Sequence, residues 1–238
     1  MIKIEIIPIL SDNYTYFIQS DGMTAIVDPG DAAPVIDFCE QNNITLDYII
    51  NTHHHWDHTD GNEEIIQKYG CKVVAPKKEQ SKIGQVDITL SDKDIFQFGD
   101  EEMLAIETPG HTQGHLCYWF AQSKILLSGD MIFAMGCGRP MEGNAKDLYK
   151  SCHRLEFIPD DALIYCGHEY TLTNATFAHS VMPENQDIAD RLEQVKALRE
   201  QDSITIPTVM GLERVTNPFL LAQSQEKFEE LRDKRNSF

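Results

Sequence analysis

Along the first two-thirds of the chain, short alternating or wholly apolar blocks exchange with segments of helical spacing. Residues 2–9 largely alternate, and residues 14–19 and 24–27 are mostly apolar or β-favouring. Ser11-Asp12-Asn13 and Asp21-Gly22 supply turn chemistry between them, so three short strands are expected. Residues 31–42 read as a helix with Val35, Ile36 and Cys39 on one face. Residues 46–50 predict an apolar strand that runs straight into His53-His54-His55-Trp56-Asp57-His58. A helix over 62–69 is stopped by Gly70, a good C-cap residue. Residues 71–75, 103–107, 116–120 and 124–127 read as further strands, and 162–166 as the last. Between these, 147–156 sets Leu148, Cys152 and Leu155 on one helix face.

From Thr171 onward the pattern holds helices and loops, and no strand is expected. Residues 184–200 carry Ile188, Leu192, Val195 and Leu198 at helical spacing behind Pro183. A loop through Pro207 and Pro218 follows, then a charged helix from 224 to 235. The reading is an α/β domain over 1–168 and a helical domain over 169–238.

Bulk composition narrows the partners. A chain of 238 residues, 42% hydrophobic and 24% charged, can bury a real core. Its formal charge, 20 − 38 = −18, repels phosphate backbones, so nucleic acid is not expected as a partner. No apolar run approaches the ~18 residues that span a bilayer, so membrane contact is not expected either. The opening MIKIEIIPIL interrupts its apolar residues with Lys3 and Glu5, and reads as a strand rather than a signal peptide. Six scattered cysteines without a C-x-x-C pair suit a reducing, cytoplasmic setting. Nothing in the sequence demands more than a monomer.

The chemistry sits in the 53–58 cluster. Imidazole and carboxylate are the ligand types of zinc, iron and manganese. So short a segment cannot wrap all its groups round one ion without severe strain. Two groups for each of two ions are feasible, and a two-metal site suggests hydrolysis. Three other candidates share one context, a turn rich in Gly or Pro after an apolar strand. They are His111 in Thr108-Pro109-Gly110-His111-Thr112, Asp130 in Ser128-Gly129-Asp130 and His168 in Gly167-His168-Glu169-Tyr170. Ligands at strand ends converge when the strands are neighbours in a sheet. Taken alone, His111 and His168 also suit solvated loop histidines, and Asp130 an Asx turn or helix N-cap. His54 points away if His53 and His55 point toward an ion. His115, His153 and His179 read as bystanders, Asp28 as a turn or supporting residue, and Cys137 as structural.

H-x-H-x-D-H, G-H-T-x-G-H, S-G-D and G-H, in that order, resemble the metallo-β-lactamase superfamily, and within it the glyoxalase II branch. Asp12-Asn13-Tyr14, Ile26-Val27-Asp28-Pro29-Gly30, Gly136-Cys137-Gly138-Arg139 with Glu142-Gly143, and Asn217-Pro218-Phe219 match that branch as well. The resemblance covers essentially the whole chain. It implies a four-layer αββα sandwich with a C-terminal helical domain. It implies two divalent ions, zinc first and iron or manganese as alternatives, the first held by His53, His55 and His111, the second by Asp57, His58 and His168. Asp130 would bridge them, and Asp57 would also orient the attacking hydroxide. The implied reaction is hydrolysis of S-D-lactoylglutathione and other S-2-hydroxyacylglutathiones to glutathione and a 2-hydroxy acid, the second step of methylglyoxal detoxification. Arg139, Tyr170, Arg232 and Arg235 would bind the glutathione part. Met141 stands where the family often has tyrosine, which puts one substrate hydrogen bond in question. A lactonase, a persulfide dioxygenase and a tRNA nuclease on the same scaffold are the rivals. The basic tail, the full second ligand set and the acidic charge, respectively, argue against them.

Overall fold

In the computed structural model, which describes residues 1–238, the alternating N-terminal segments form an antiparallel meander. It comprises β1 (Lys3–Ile9), β2 (Asn13–Ser20) and β3 (Met23–Val27). Helix α1 (Ala32–Asn42) follows, with Asp31 accepting from Ala33 N–H as its N-cap. β4 (Tyr48–Ile50), α2 (Trp56–Thr59), α3 (Asn62–Tyr69), β5 (Lys72–Pro76), α4 (Gln80–Ile83) and β6 (Ile88–Leu90) complete this part. β3 to β6 pair in parallel because helical connections return the chain to the same edge each time. Val35 and Cys39 of α1 and Ile65 of α3 pack on Ile26, Ile49 and Val73 of the six-stranded sheet. Each such buried side chain contributes roughly 1.5–3 kcal/mol. Side chains alternate along β4, so Tyr48 faces the other way, where its ring meets Phe96 edge-on at 5.2 Å. Phe96 belongs to a second, antiparallel set: β7 (Ile95–Phe98), β8 (Glu101–Glu107) and β9 (Leu116–Phe120).

Those elements make one compact unit, residues 1–107 with 114–123; residues 108–113 with 124–238 make the other. In the second unit β10 (Ile125–Gly129) leads to a two-residue hairpin, β11 (Ile132–Phe133) with β12 (Gly136–Cys137). α5 (Ala145–Arg154) comes next, and β13 (Leu163–Cys166) then pairs in parallel with β10. α6 (Thr171–Val181) and α7 (Gln186–Arg199) close on the hairpin through Met135, Ala175, Ala178, Ile188 and Leu192.

The region expected to lack strands contains one. β14 (Thr208–Val209) pairs antiparallel with β13, Leu163 opposite Val209 and Ile164 opposite Thr208. The segment expected as a loop between Pro207 and Pro218 holds helix α8 (Met210–Thr216), and α9 (Gln225–Asn236) follows. Periodicity has nothing to show in a two-residue strand, and Gly211 with flanking prolines disguises a seven-residue helix. What fixes α8 is Glu213, which is fully buried. It accepts from Arg191, Thr208 Oγ1, Met135 N–H (2.7 Å) and Asn217 Nδ2 (3.0 Å). No helix is long and apolar enough to cross a membrane.

Candidate metal centre

β4 ends at Ile50, and the next residues are held tightly before the chain turns into α2. Asn51 N–H donates to Val74 O at 2.9 Å, and its side chain donates to His58 O at 3.0 Å. Asp28 takes the Thr52 N–H at 2.7 Å and the Thr52 hydroxyl at 2.6 Å, and its carboxylate lies 3.2 Å from His58 Nδ1. His53 Nε2 then stands 3.1 Å from His55 Nδ1, and His58 Nε2 stands 3.5 Å from Asp57 Oδ2. His53 and His58 are both buried, their rings 4.2 Å apart. The structure thus brings the four sequence candidates of this segment together in two donor pairs.

Two other motif fragments serve the same segment. Asn13, of Asp12-Asn13-Tyr14, donates to the Asp57 carboxylate at 3.0 Å. Gly30, of Ile26-Val27-Asp28-Pro29-Gly30, lies so near Asp57 that an added Cβ would stand 1.9 Å from its carbonyl oxygen. The other histidines have partners of their own. His54 turns to Glu79, and His115 is fully buried with its ring 5.2 Å from that of His53. His153 Nδ1 caps back onto Tyr149 O at 2.8 Å.

The remaining candidates lie in the second unit. Asp130 and His168 follow the neighbouring parallel strands β10 and β13, whereas β4 belongs to the other sheet. His111 Nδ1 lies 2.8 Å from Arg139 O, which leaves Nε2 facing Asp130 Oδ2 at 3.4 Å. His168 Nε2 approaches the same oxygen at 3.2 Å, its ring stacked on Tyr170 at 4.7 Å. All three are buried.

The donor sets fit divalent ions. Two ligand atoms each ~2.1 Å from one tetrahedral ion sit roughly 3.4 Å apart, near the separations found in both units. They also combine imidazole with carboxylate, the set suited to zinc, iron or manganese. The opposite ring nitrogen of His111 rests on a backbone carbonyl, the kind of support that metal-binding histidines use.

His111 and Asp130 also line a cavity of about 280 Å³ with Tyr170, Arg139, Arg232 and Arg235. Three guanidinium groups around one cavity are conspicuous in a chain of net charge −18. Arg232 is buried over the Phe219 ring and donates to Cys137 O at 2.9 Å. Arg235 donates to Asn174 Oδ1 at 3.2 Å. Burial first, then the neighbouring Arg232 charge, lowers the Arg235 pKa below its ordinary value. Burial likewise raises the Cys137 thiol, against the pull of Arg232, which keeps it a packing group. Met141 is 59% exposed and offers no side-chain hydrogen bond.

Sequence reasoning missed Asn174, which donates to Ala134 O at 3.1 Å while orienting Arg235. No motif surrounds it, and only its burial on α6 betrays it. Asn217, noted only as part of a motif, proves to bind the hairpin at Phe133 O (3.3 Å) and Gly136 O (2.9 Å).

Two family models match end to end. Residues 10–168 match the metallo-β-lactamase superfamily, and residues 169–238 match the hydroxyacylglutathione hydrolase C-terminus. The hydroxyacylglutathione hydrolase of Methylococcus capsulatus is 40% identical, over 95% of this chain and 89% of its own length. That of Pseudomonas fluorescens is 43% identical, over 99% of this chain and 92% of its own. Among solved structures, ETHE1 from Myxococcus xanthus superposes with a TM-score of 0.74 at 22% identity, covering 99% of this chain and 91% of that one. That last likeness speaks for the fold, the metallo-β-lactamase fold expected from the motifs. The two matched models and the relatives go further: this chain belongs to the hydroxyacylglutathione hydrolase family of the metallo-β-lactamase superfamily.

Proposed function

We propose that the protein hydrolyses S-2-hydroxyacylglutathiones, S-D-lactoylglutathione among them, to glutathione and the free 2-hydroxy acid. One observation carries the substrate reading: the donor groups His111 and Asp130 line the same cavity as Arg139, Arg232 and Arg235. A molecule with a carboxylate at one end and a hydrolysable carbonyl at the other fits such a cavity. Residues 1–168 serve as the catalytic domain and 169–238 as the substrate-binding domain. By the family resemblance, His53, His55 and His111 would hold one divalent ion, Asp57, His58 and His168 would hold the second, and Asp130 would serve both. The ions are zinc, and the protein works as a cytoplasmic monomer, where its six free, buried cysteines stay reduced.

Bound ions of this kind supply a nucleophile at neutral pH and a Lewis acid for the thioester carbonyl. The chain's own groups do the rest. Asp57, steadied by Asn13, orients the attacking oxygen toward the carbonyl carbon. Arg235 and Arg139 take the glycine carboxylate of glutathione, with Arg232 beside them, and Tyr170 packs along the peptide. The leaving thiolate needs no protonating residue, because a thiol of pKa ~8.5 departs readily.

The test is a thioester-hydrolysis assay on S-D-lactoylglutathione with metal analysis of the same sample. Metal-replete protein that ignores this substrate but opens lactones or oxidises persulfides sinks the reading. Arg235→Ala is expected to raise KM about 10- to 100-fold, the ~1.5–3 kcal/mol of a charged hydrogen bond, with kcat nearly unchanged. An unchanged KM would reduce Arg235 to a cation at a helix end.

A further inference from the structure

His54 and Glu79 have no ligand role in the centre just proposed, yet the structure joins them. Glu79 follows β5, opens α4 and is 2% exposed. Its Oε2 accepts from His54 N–H at 2.7 Å and lies 2.8 Å from His54 Nδ1. Its Oε1 accepts from Gly114 N–H at 2.8 Å. Nearby, Leu116 N–H donates to Thr52 O at 3.0 Å. The segments 52–54 and 114–116 therefore run together, but at His54 and Gly114 both present backbone donors. Two N–H groups cannot satisfy each other, and a buried unsatisfied donor is costly. A carboxylate, with acceptor oxygens on both prongs, satisfies the pair; glutamine has an acceptor on one prong only.

Gly114 fits this reading. A Cβ there would stand 2.4 Å from Glu79 Cγ and 2.8 Å from Lys78 Cβ. The glycine of Thr112-Gln113-Gly114-His115 thus makes room for the Glu79 side chain. His54 is flanked by His53 and His55, whose donor nitrogens face each other at 3.1 Å. The N–H that Glu79 grips lies in the chain between the two ligand residues.

We propose that Glu79 is a positioning residue for the metal centre: its carboxylate staples the His54 and Gly114 amides together and so sets the spacing of the His53 and His55 donor atoms. The proposal rests on the metal-centre reading above. Glu79 is not one of the ligands of that reading, and it would act through the His54 backbone.

Zinc competition against a chelator tests it on the full chain, with unfolding of the metal-free protein measured alongside. Glu79→Gln and Gly114→Ala should each weaken zinc binding about 10- to 100-fold, the usual cost of losing a group that orients ligands. The double variant should be no weaker than the worse single one, since both break one staple. His54→Ala keeps the backbone bond and should cost at most about fivefold, one hydrogen bond. If Glu79→Gln does not fold, Gly114→Ala and His54→Ala decide. Zinc affinity unchanged in Glu79→Gln or Gly114→Ala, with only the metal-free stability lowered, makes Glu79 a mere brace and overturns the proposal. So does an additive double variant, or a His54→Ala as damaging as Glu79→Gln. A wild-type chain that binds no zinc fails earlier, at the metal-centre reading itself, and removes the staple's purpose with it.

Discussion

Asp130→Asn is expected to lower kcat by on the order of 10³-fold or more, and to leave the protein with less than its full metal. The reason lies in one oxygen. Asp130 Oδ2 stands 3.4 Å from His111 Nε2 and 3.2 Å from His168 Nε2, so one carboxylate meets the donor atoms of both histidines. Asparagine keeps the shape but removes the negative charge between those imidazoles and turns one acceptor into a donor. Stabilisation of developing charge by a bound divalent ion is worth several kcal/mol, and each ~1.4 kcal/mol is a factor of ten in rate. The carboxylate sits in a tight turn, with Met131 N–H returning to Ser128 O at 3.1 Å and Ser128 Oγ donating to Ile132 O at 2.8 Å. The variant should therefore fold, and circular dichroism of the metal-free protein checks that it does. Steady-state kinetics and metal analysis give the answer together. A folded variant that keeps both metal and turnover would remove Asp130 from the centre.

Asp130 also shows what a sequence can and cannot disclose. Its candidacy rests on context, a Ser-Gly-Asp turn after an apolar strand, and β10 is that strand. The parallel neighbour β13, which brings His168 to the same oxygen, was legible for the same reason. Elements with a long apolar period were found nearly whole: β2, β8, β9, α1, α3, α5 and α7 begin or end within about two residues of expectation, the ordinary slack of such boundaries. β6 and β7 escaped because they are three- and four-residue strands set among Asp87, Asp92 and Asp94. α2 escaped because the histidine cluster that it begins in reads as chemistry rather than as a helix. The second line of the site was least legible. Glu79 and Asn174 work by hydrogen bonds to residues 25 and 61 positions away, and no local pattern announces a partner at that distance; Asn13, bonded 44 positions away, showed only through its motif.

The same is true of Glu213, and its loss should be the most damaging to stability. Glu213→Ala is expected to cost about 3–5 kcal/mol, because it leaves the buried Arg191 guanidinium without its counter-charge. For a chain of this size that is a fall in Tm of roughly 6–20 °C. The effect should reach the cavity as well. Glu213 holds Met135 N–H and the Asn217 side chain, and Asn217 holds Phe133 O and Gly136 O, so the hairpin that carries Phe133 and Cys137 into the cavity hangs from this carboxylate. At a temperature where the variant stays folded, KM for the glutathione thioester should rise more than kcat falls. Replacing the pair together, Arg191→Met with Glu213→Leu, separates the two roles. Removing both charges for apolar groups of similar volume commonly recovers the stability. It does not return an acceptor to Met135 N–H, so the raised KM should persist. Chemical denaturation and steady-state kinetics on the two variants measure both. A Glu213→Ala protein within ~1 kcal/mol of wild type would mean that Arg191 finds another partner. A double variant whose KM returns to normal would mean that the hairpin is placed by packing on Ala175, Ala178 and Ile188 alone.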